Sequence, residues 1–105
     1  MTDFLKIMQQ AQEMQTRMQA IQDELQRKLV TGSAGGGMVV VEADGKGTVK
    51  KVKIDPTLMK PDDVEMLEDL VAVAVGDAQR KANELAQAEV QKLTGGLQLP
   101  FKLPI

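Results

Sequence analysis

Four lysines, Lys46, Lys50, Lys51 and Lys53, lie close together with no acidic residue between them. Ammonium groups crowded in this way suit contact with the phosphates of a polyanion. Other chemistry is hard to assemble from this chain. It has no His, Cys, Tyr or Trp, and its only serine, Ser33, sits among glycines. Neither a nucleophile with its base nor a zinc site can be built from that inventory, so no enzyme activity, catalytic residue, metal ligand, cofactor or small-molecule substrate is expected. The glycines at 32 and 35–37, and the run Gly45-Lys46-Gly47-Thr48, resemble a phosphate-binding loop only loosely. A P-loop leads from a strand into a helix, with Gly-Lys-Ser/Thr following four residues after its first glycine; this lysine falls in a hairpin turn instead.

The remaining charges read mostly as solvated helix faces. Glu13 precedes Arg17 by four, as Asp23 does Arg27, Glu24 does Lys28 and Asp77 does Lys81. Each is the favourable order for a helical ion pair. With a net charge of −2 and a pI near 5.1, bulk positive charge cannot drive binding to a nucleic acid, so any such contact must come from a local patch. Asp62, Asp63, Glu65, Glu68 and Asp69 crowd the start of a helix, where its dipole favours acids; they lack the spacing of a calcium loop. The glutamines at 9, 10, 12, 15, 19, 22 and 26 have the donors and acceptors to meet adenine edges, but their helix preference and solubility explain them as well. Phe4 and Phe101 are the only aromatic residues, which leaves no stacking platform for single strands.

The elements that must hold these lysines centre on Gly35 to Pro56. Met38 to Ala43 supplies a β-branched arm, Asp44-Gly45 offers turn chemistry, and Thr48 to Ile54 supplies a second arm. Val39, Val40 and Val41 make the first arm apolar on both faces, so both need cover. A short strand from Leu29 to Gly32 adds a rung. Phe4, Ile7, Ala11, Met14, Met18, Ile21 and Leu25 alternate at spacings of three and four, a narrow seam suited to another helix. That helix is about 39 Å long against about 23 Å for a hairpin arm, so its seam overhangs the sheet and calls for a second copy, a homodimer.

Asp55 and Pro56 set a short turn, and Pro61 opens a C-terminal helix with a stripe through Val64, Leu67, Val71, Ala74, Ala78, Leu85 and Leu93. Gly76 within it invites close approach of another backbone. Thr94-Gly95-Gly96 stops the helix, and the tail alternates apolar residues at Leu97, Leu99, Phe101, Leu103 and Ile105 between prolines. A single domain over 1–105 is expected: helix 1–28, strands 29–56, helix 61–94, tail 95–105. No membrane span or secretory leader is visible, so a cytoplasmic location is expected.

The order KIMQQAQEMQTRMQ, VTGSAGGGMVVVEADGKGTVKKVKIDPTL, EMLEDLVAVAVGDAQRKA and GGLQLPFKLP resembles the YbaB/EbfC family of bacterial nucleoid-associated DNA-binding proteins over essentially the whole chain. The resemblance implies an α+β fold: an α-β-β-β-α protomer with a small antiparallel sheet flanked by two long helices. It also implies an intertwined, tweezer-like homodimer that binds double-stranded DNA. A place in the nucleoid and a role in gene expression go with it. Binding in the family is attributed to the projecting helices, which here points to Lys6, Arg17, Arg80, Lys81 and Lys92. The residues alone point to Lys46, Lys50, Lys51 and Lys53. Both sets stand as candidates, with little base specificity expected. The rival is a structural module that holds a protein partner through its Gln-rich helices and apolar tail.

Overall fold

The computed structural model describes residues 2–94 and measures 71 × 25 × 17 Å. The apolar tail and the Gly95-Gly96 stop lie outside the described residues. Helix α1 (Thr2–Arg27) is followed by strands β1 (Leu29–Ala34), β2 (Val39–Asp44) and β3 (Val49–Ile54), then by helix α2 (Val64–Thr94). The sheet is antiparallel in the order β1-β2-β3. Strand β1 runs two residues beyond the Leu29–Gly32 reading, because Ser33 and Ala34 pair with Val40 and Val39. The α-β-β-β-α order is thus present.

Directly opposed residues of an antiparallel ladder share a face. Gly32, Val41 and Val52 lie on one face; Ser33, Val40 and Lys53 lie on the other. Helix α2 covers the first face over β1 and β2, where Val39, Val41, Ala43, Ala74 and Ala78 are fully buried. Close packing here depends on Gly32, since a Cβ at that position would run into the backbone of Ala74 and Ala78. This is where the helix approaches another backbone. A Cβ on Gly76 would meet nothing within 4 Å, so the expectation of close approach at Gly76 is not met within the protomer.

The cover stops short of β3, leaving Val49 and Val52 37% and 40% exposed. Val40, on the far face, is half-buried, so the doubly apolar arm is fully covered on one side only. The stripe of α2 also differs at its start. Val64, the first residue of α2, is exposed, while Leu67, Leu70, Val71 and Val75 pack on the core.

Helix α1 grades along its seam. Phe4 and Ile7 are 65% and 62% exposed, Met14, Met18 and Ile21 are half-buried, and Leu25 is 2% exposed. Only the C-terminal end is fixed to the body. There the Leu25 carbonyl accepts the N–H of Gly45 at 2.8 Å and that of Lys28 at 3.2 Å. Gly45 serves this contact rather than a left-handed turn: a Cβ on it would stand 2.7 Å from the Leu25 carbonyl oxygen, and positive φ in the turn falls at Gly47. After β3, the Asp55 carboxylate accepts the Thr57 N–H at 2.9 Å and caps the Pro56–Leu58 turn, as its position before proline predicts.

Candidate nucleic-acid interface

The hairpin turn is built on Asp44. Its Oδ1 accepts the N–H of Lys46 at 2.9 Å and of Thr48 at 3.0 Å, which closes the turn and puts Lys46 at its tip. Its Oδ2 faces the Lys50 ammonium at 3.8 Å. Burial works to raise the Asp44 pKa, but the two N–H groups and the lysine charges outweigh it and leave the pKa below the usual carboxylate value. Lys53 in turn meets Glu42 of β2 at 3.6 Å.

These pairs correct the reading of the hairpin as a run of lysines free of acids. No acid lies between them in sequence, yet β2 brings Asp44 and Glu42 alongside. Lys46 and Lys51 keep no carboxylate within 4 Å among the described residues. Nor do the four lysines form one patch. Lys51 and Lys53 lie on the sheet face away from α2, and Lys46 lies at the turn between the two helices.

The cations of α2 are held more firmly. Arg80 donates to Asp77 at 2.8 Å and to Glu84 at 2.7 Å. Lys81 reaches Asp77 at 3.3 Å and the Thr31 carbonyl at 3.1 Å, and Lys92 reaches Glu89 at 3.5 Å. Asp77 also accepts the Ser33 N–H at 3.1 Å, so it ties α2 to β1. Bonds from Arg80, Ser33 and Lys81 together hold its pKa down to about 2. Glu89 likewise bonds Lys28 at 3.2 Å, which lowers the pKa of the acid and raises that of the lysine.

Helix α1 behaves differently. Of the i,i+4 pairs expected there, Glu24 meets Lys28 at 3.5 Å. Glu13 and Arg17 stay beyond 4 Å, as do Asp23 and Arg27, and Asp23 accepts the Gln19 amide at 3.2 Å instead. An exposed ion pair at helical spacing gains so little that it need not hold one geometry. Among the described residues, Lys6, Arg17, Arg27, Lys46, Lys51 and Lys60 therefore have no carboxylate within 4 Å. Sequence reasoning missed Arg27, which it assigned to an ion pair, and Lys60, whose place beside the Pro61 turn gave no helical signal.

Glutamines and bare cations along one arm, with a lysine at a turn beside it, present donors and positive charge to an anion. Comparison with known proteins decides what kind of protein carries them. The model of the YbaB/EbfC DNA-binding family matches residues 1–97. The chain belongs to that family. A relative from Gemmatimonas aurantiaca, called a nucleoid-associated protein, is 48% identical over 102 residues, covering 97% of this chain and 98% of its own. Another of the same description, from Nitrobacter hamburgensis, is 54% identical over 100 residues, covering 95% and 94%. The crystal structure of an uncharacterized Helicobacter pylori protein superposes with a TM-score of 0.79 at 22% identity, covering 88% of this chain and 97% of that one. At that identity it shows a shared fold, the helix, three strands and helix described above. Within the YbaB/EbfC fold of this chain, then, the bare cations belong to α1, the hairpin and, with Lys60, the segment before α2, whereas the cations of α2 are each paired.

The acids at the start of α2 hold no metal cage: among the described residues, no three His, Cys, Asp or Glu side chains converge. No described helix is long and apolar enough to cross a membrane.

Proposed function

We propose that the protein binds double-stranded DNA as a homodimer, with little base specificity, and acts in the nucleoid, where it organises DNA and influences gene expression. The observation that carries this is the set of cations left without carboxylate partners among the described residues, Lys6, Arg17, Arg27, Lys46, Lys51 and Lys60, on a chain of a DNA-binding family. Cations already neutralised contribute less to counterion release, so Lys50, Lys53, Arg80, Lys81 and Lys92 are secondary contacts. They are not excluded from the interface, because an exposed ion pair is worth only about 0–1 kcal/mol and a phosphate can replace its acid. Phosphates carry no sequence, and there is no aromatic platform among the described residues. That combination favours shape over bases.

Exposed apolar surface supports the dimer. Phe4, Leu5, Ile7 and Met8 stand on the free end of α1, and Val49 and Val52 stand on β3, an edge strand. Isolated apolar residues on a surface mean little, but two contiguous groups on a chain this small suit a second copy.

Fluorescence anisotropy of a labelled duplex at about 50 and about 200 mM salt tests the DNA reading. Saturable binding that weakens steeply with salt is expected. Sedimentation at micromolar concentration tests the dimer, and a monomer there would remove it. Absence of duplex binding at the lower salt would instead favour a module that holds a protein partner through its Gln-rich helices and apolar tail. The net charge of −2 is the observation on its side.

A further inference from the structure

Where the C-terminal end of α1, the β2–β3 turn and the middle of α2 meet, they enclose a cleft of about 410 Å³. Its polar lining comes from Gln22 of α1, Lys46 of the turn, and Gln79 and Asn83 of α2, above an apolar floor that includes Leu25 and Ala82. None of the lining residues is acidic. Asp44, the acid of the turn itself, has Oδ1 taken up by the N–H groups of Lys46 and Thr48 and Oδ2 facing Lys50. Gln79 donates to the Gly47 carbonyl at 3.2 Å, which fixes one wall. The side chains of Gln22, Lys46 and Asn83 make no hydrogen bond or ion pair with the described residues.

Neutral amides that can donate, one bare cation and no carboxylate select for an anionic oxygen. The volume exceeds what a lone ion fills and admits a sugar beside its phosphate. We propose that this cleft seats one phosphodiester unit of the DNA backbone. Lys46 Nζ and the amides of Gln22 and Asn83 take its oxygens, and its sugar lies over the apolar floor. This rests on the DNA-binding reading and adds a built seat to it, between the arm and the body. Gln22, Gln79 and Asn83 thereby become contact or positioning residues that charge alone does not reveal.

The test exploits the difference between neutral donors and cations. Asn83→Leu, Gln22→Leu and Lys46→Gln are compared with the parent by duplex anisotropy across a salt series, with thermal melts to establish folding. Loss of an amide donor is expected to weaken binding about 5- to 10-fold without changing the salt slope, since no counterion is released at an amide. Lys46→Gln is expected to weaken binding and to reduce the slope by about 0.9 for each protomer that contacts the duplex. Having two independent amide variants keeps the test open should one of them fold poorly. If the parent binds duplex and both amide variants match it, the cleft assignment is overturned while the DNA reading stands. If the parent binds no duplex at about 50 mM salt, the DNA reading itself fails and the assignment goes with it. Thymidine 5′-monophosphate separates the sources of phosphate. Binding of it to the parent alongside unchanged duplex affinity in the variants would make this a free-nucleotide site and overturn the backbone seat.

Discussion

The two helices have similar lengths and opposite relations to their surroundings. Helix α2 is fixed along its middle, with Ala74 and Ala78 fully buried against the sheet and Asp77 bonded to the β1 backbone. Its cations are neutralised one by one. Helix α1 is fixed at one end by Leu25, and its Lys6, Arg17 and Arg27 meet no carboxylate among the described residues. The contrast teaches that a helix committed to the core spends its acids on holding itself in place. A helix free of the core leaves its cations for another molecule. Together, α2 is the spine of the domain and α1 its working arm.

The largest expected effect comes from breaking the spine. Gly32→Val forces β1 and α2 apart at the closest contact in the core, and a loss of about 3 kcal/mol or more is expected, read as a fall in Tm. A Tm unchanged from the parent would show that α2 does not depend on that approach. Next comes the arm. Phe4→Ser with Ile7→Ser removes apolar groups exposed in the protomer, so helix content by circular dichroism should hold while the self-association constant weakens about 10- to 100-fold by sedimentation. A melting loss with the dimer intact would reverse the assignment.

Charge sharpens the comparison further. Lys6→Gln with Arg17→Gln should weaken duplex binding roughly 10- to 100-fold at about 0.1 M salt and reduce the salt slope by about 1.8 for each protomer in contact. Arg80→Gln with Lys81→Gln should change the slope much less and show mainly as lost stability. Equal slopes in the two double variants would erase the distinction between spine and arm.

The smallest effect is a matter of pH. The Asp77 pKa is lowered to about 2 in the fold, below its ordinary value near 4. A lowered folded-state pKa means that the stabilisation is fully present above the ordinary pKa and is lost as pH falls through the folded one. Asp77→Asn should therefore lower Tm at neutral pH, and the gap to the parent should close between about pH 4 and about pH 2. A gap independent of pH over that range would show that the carboxylate charge contributes nothing to holding the spine.

Much of the fold was legible because its signals are local. The three-four seam of α1, the valines of β2, the Asp55-Pro56 cap and the Pro61 start all placed elements within a few residues of their observed ends. The charge map was less legible, because partners are chosen in three dimensions. Lys53 meets Glu42 across two strands, whereas Arg17 does not meet the Glu13 that lies one helical turn away. The glycines divided in the same way: their presence in turns was readable, but whether a position needs a left-handed φ, as Gly47 does, or room for a neighbour, as Gly32 and Gly45 do, depends on what packs there. The cleft was invisible in the sequence, since its amides come from two helices far apart in the chain and no spacing joins them.

The single anchorage of α1 has a mechanical side. From Leu25 to Phe4 the helix extends roughly 31 Å at 1.5 Å per residue, a stiff rod clamped at one end. A tilt of about 5° at the clamp carries the tip through roughly 2.7 Å on that length. Small changes in the Leu25 to Gly45 contact are thus magnified at Phe4, and the reach of the arm is adjusted at its base rather than along its shaft.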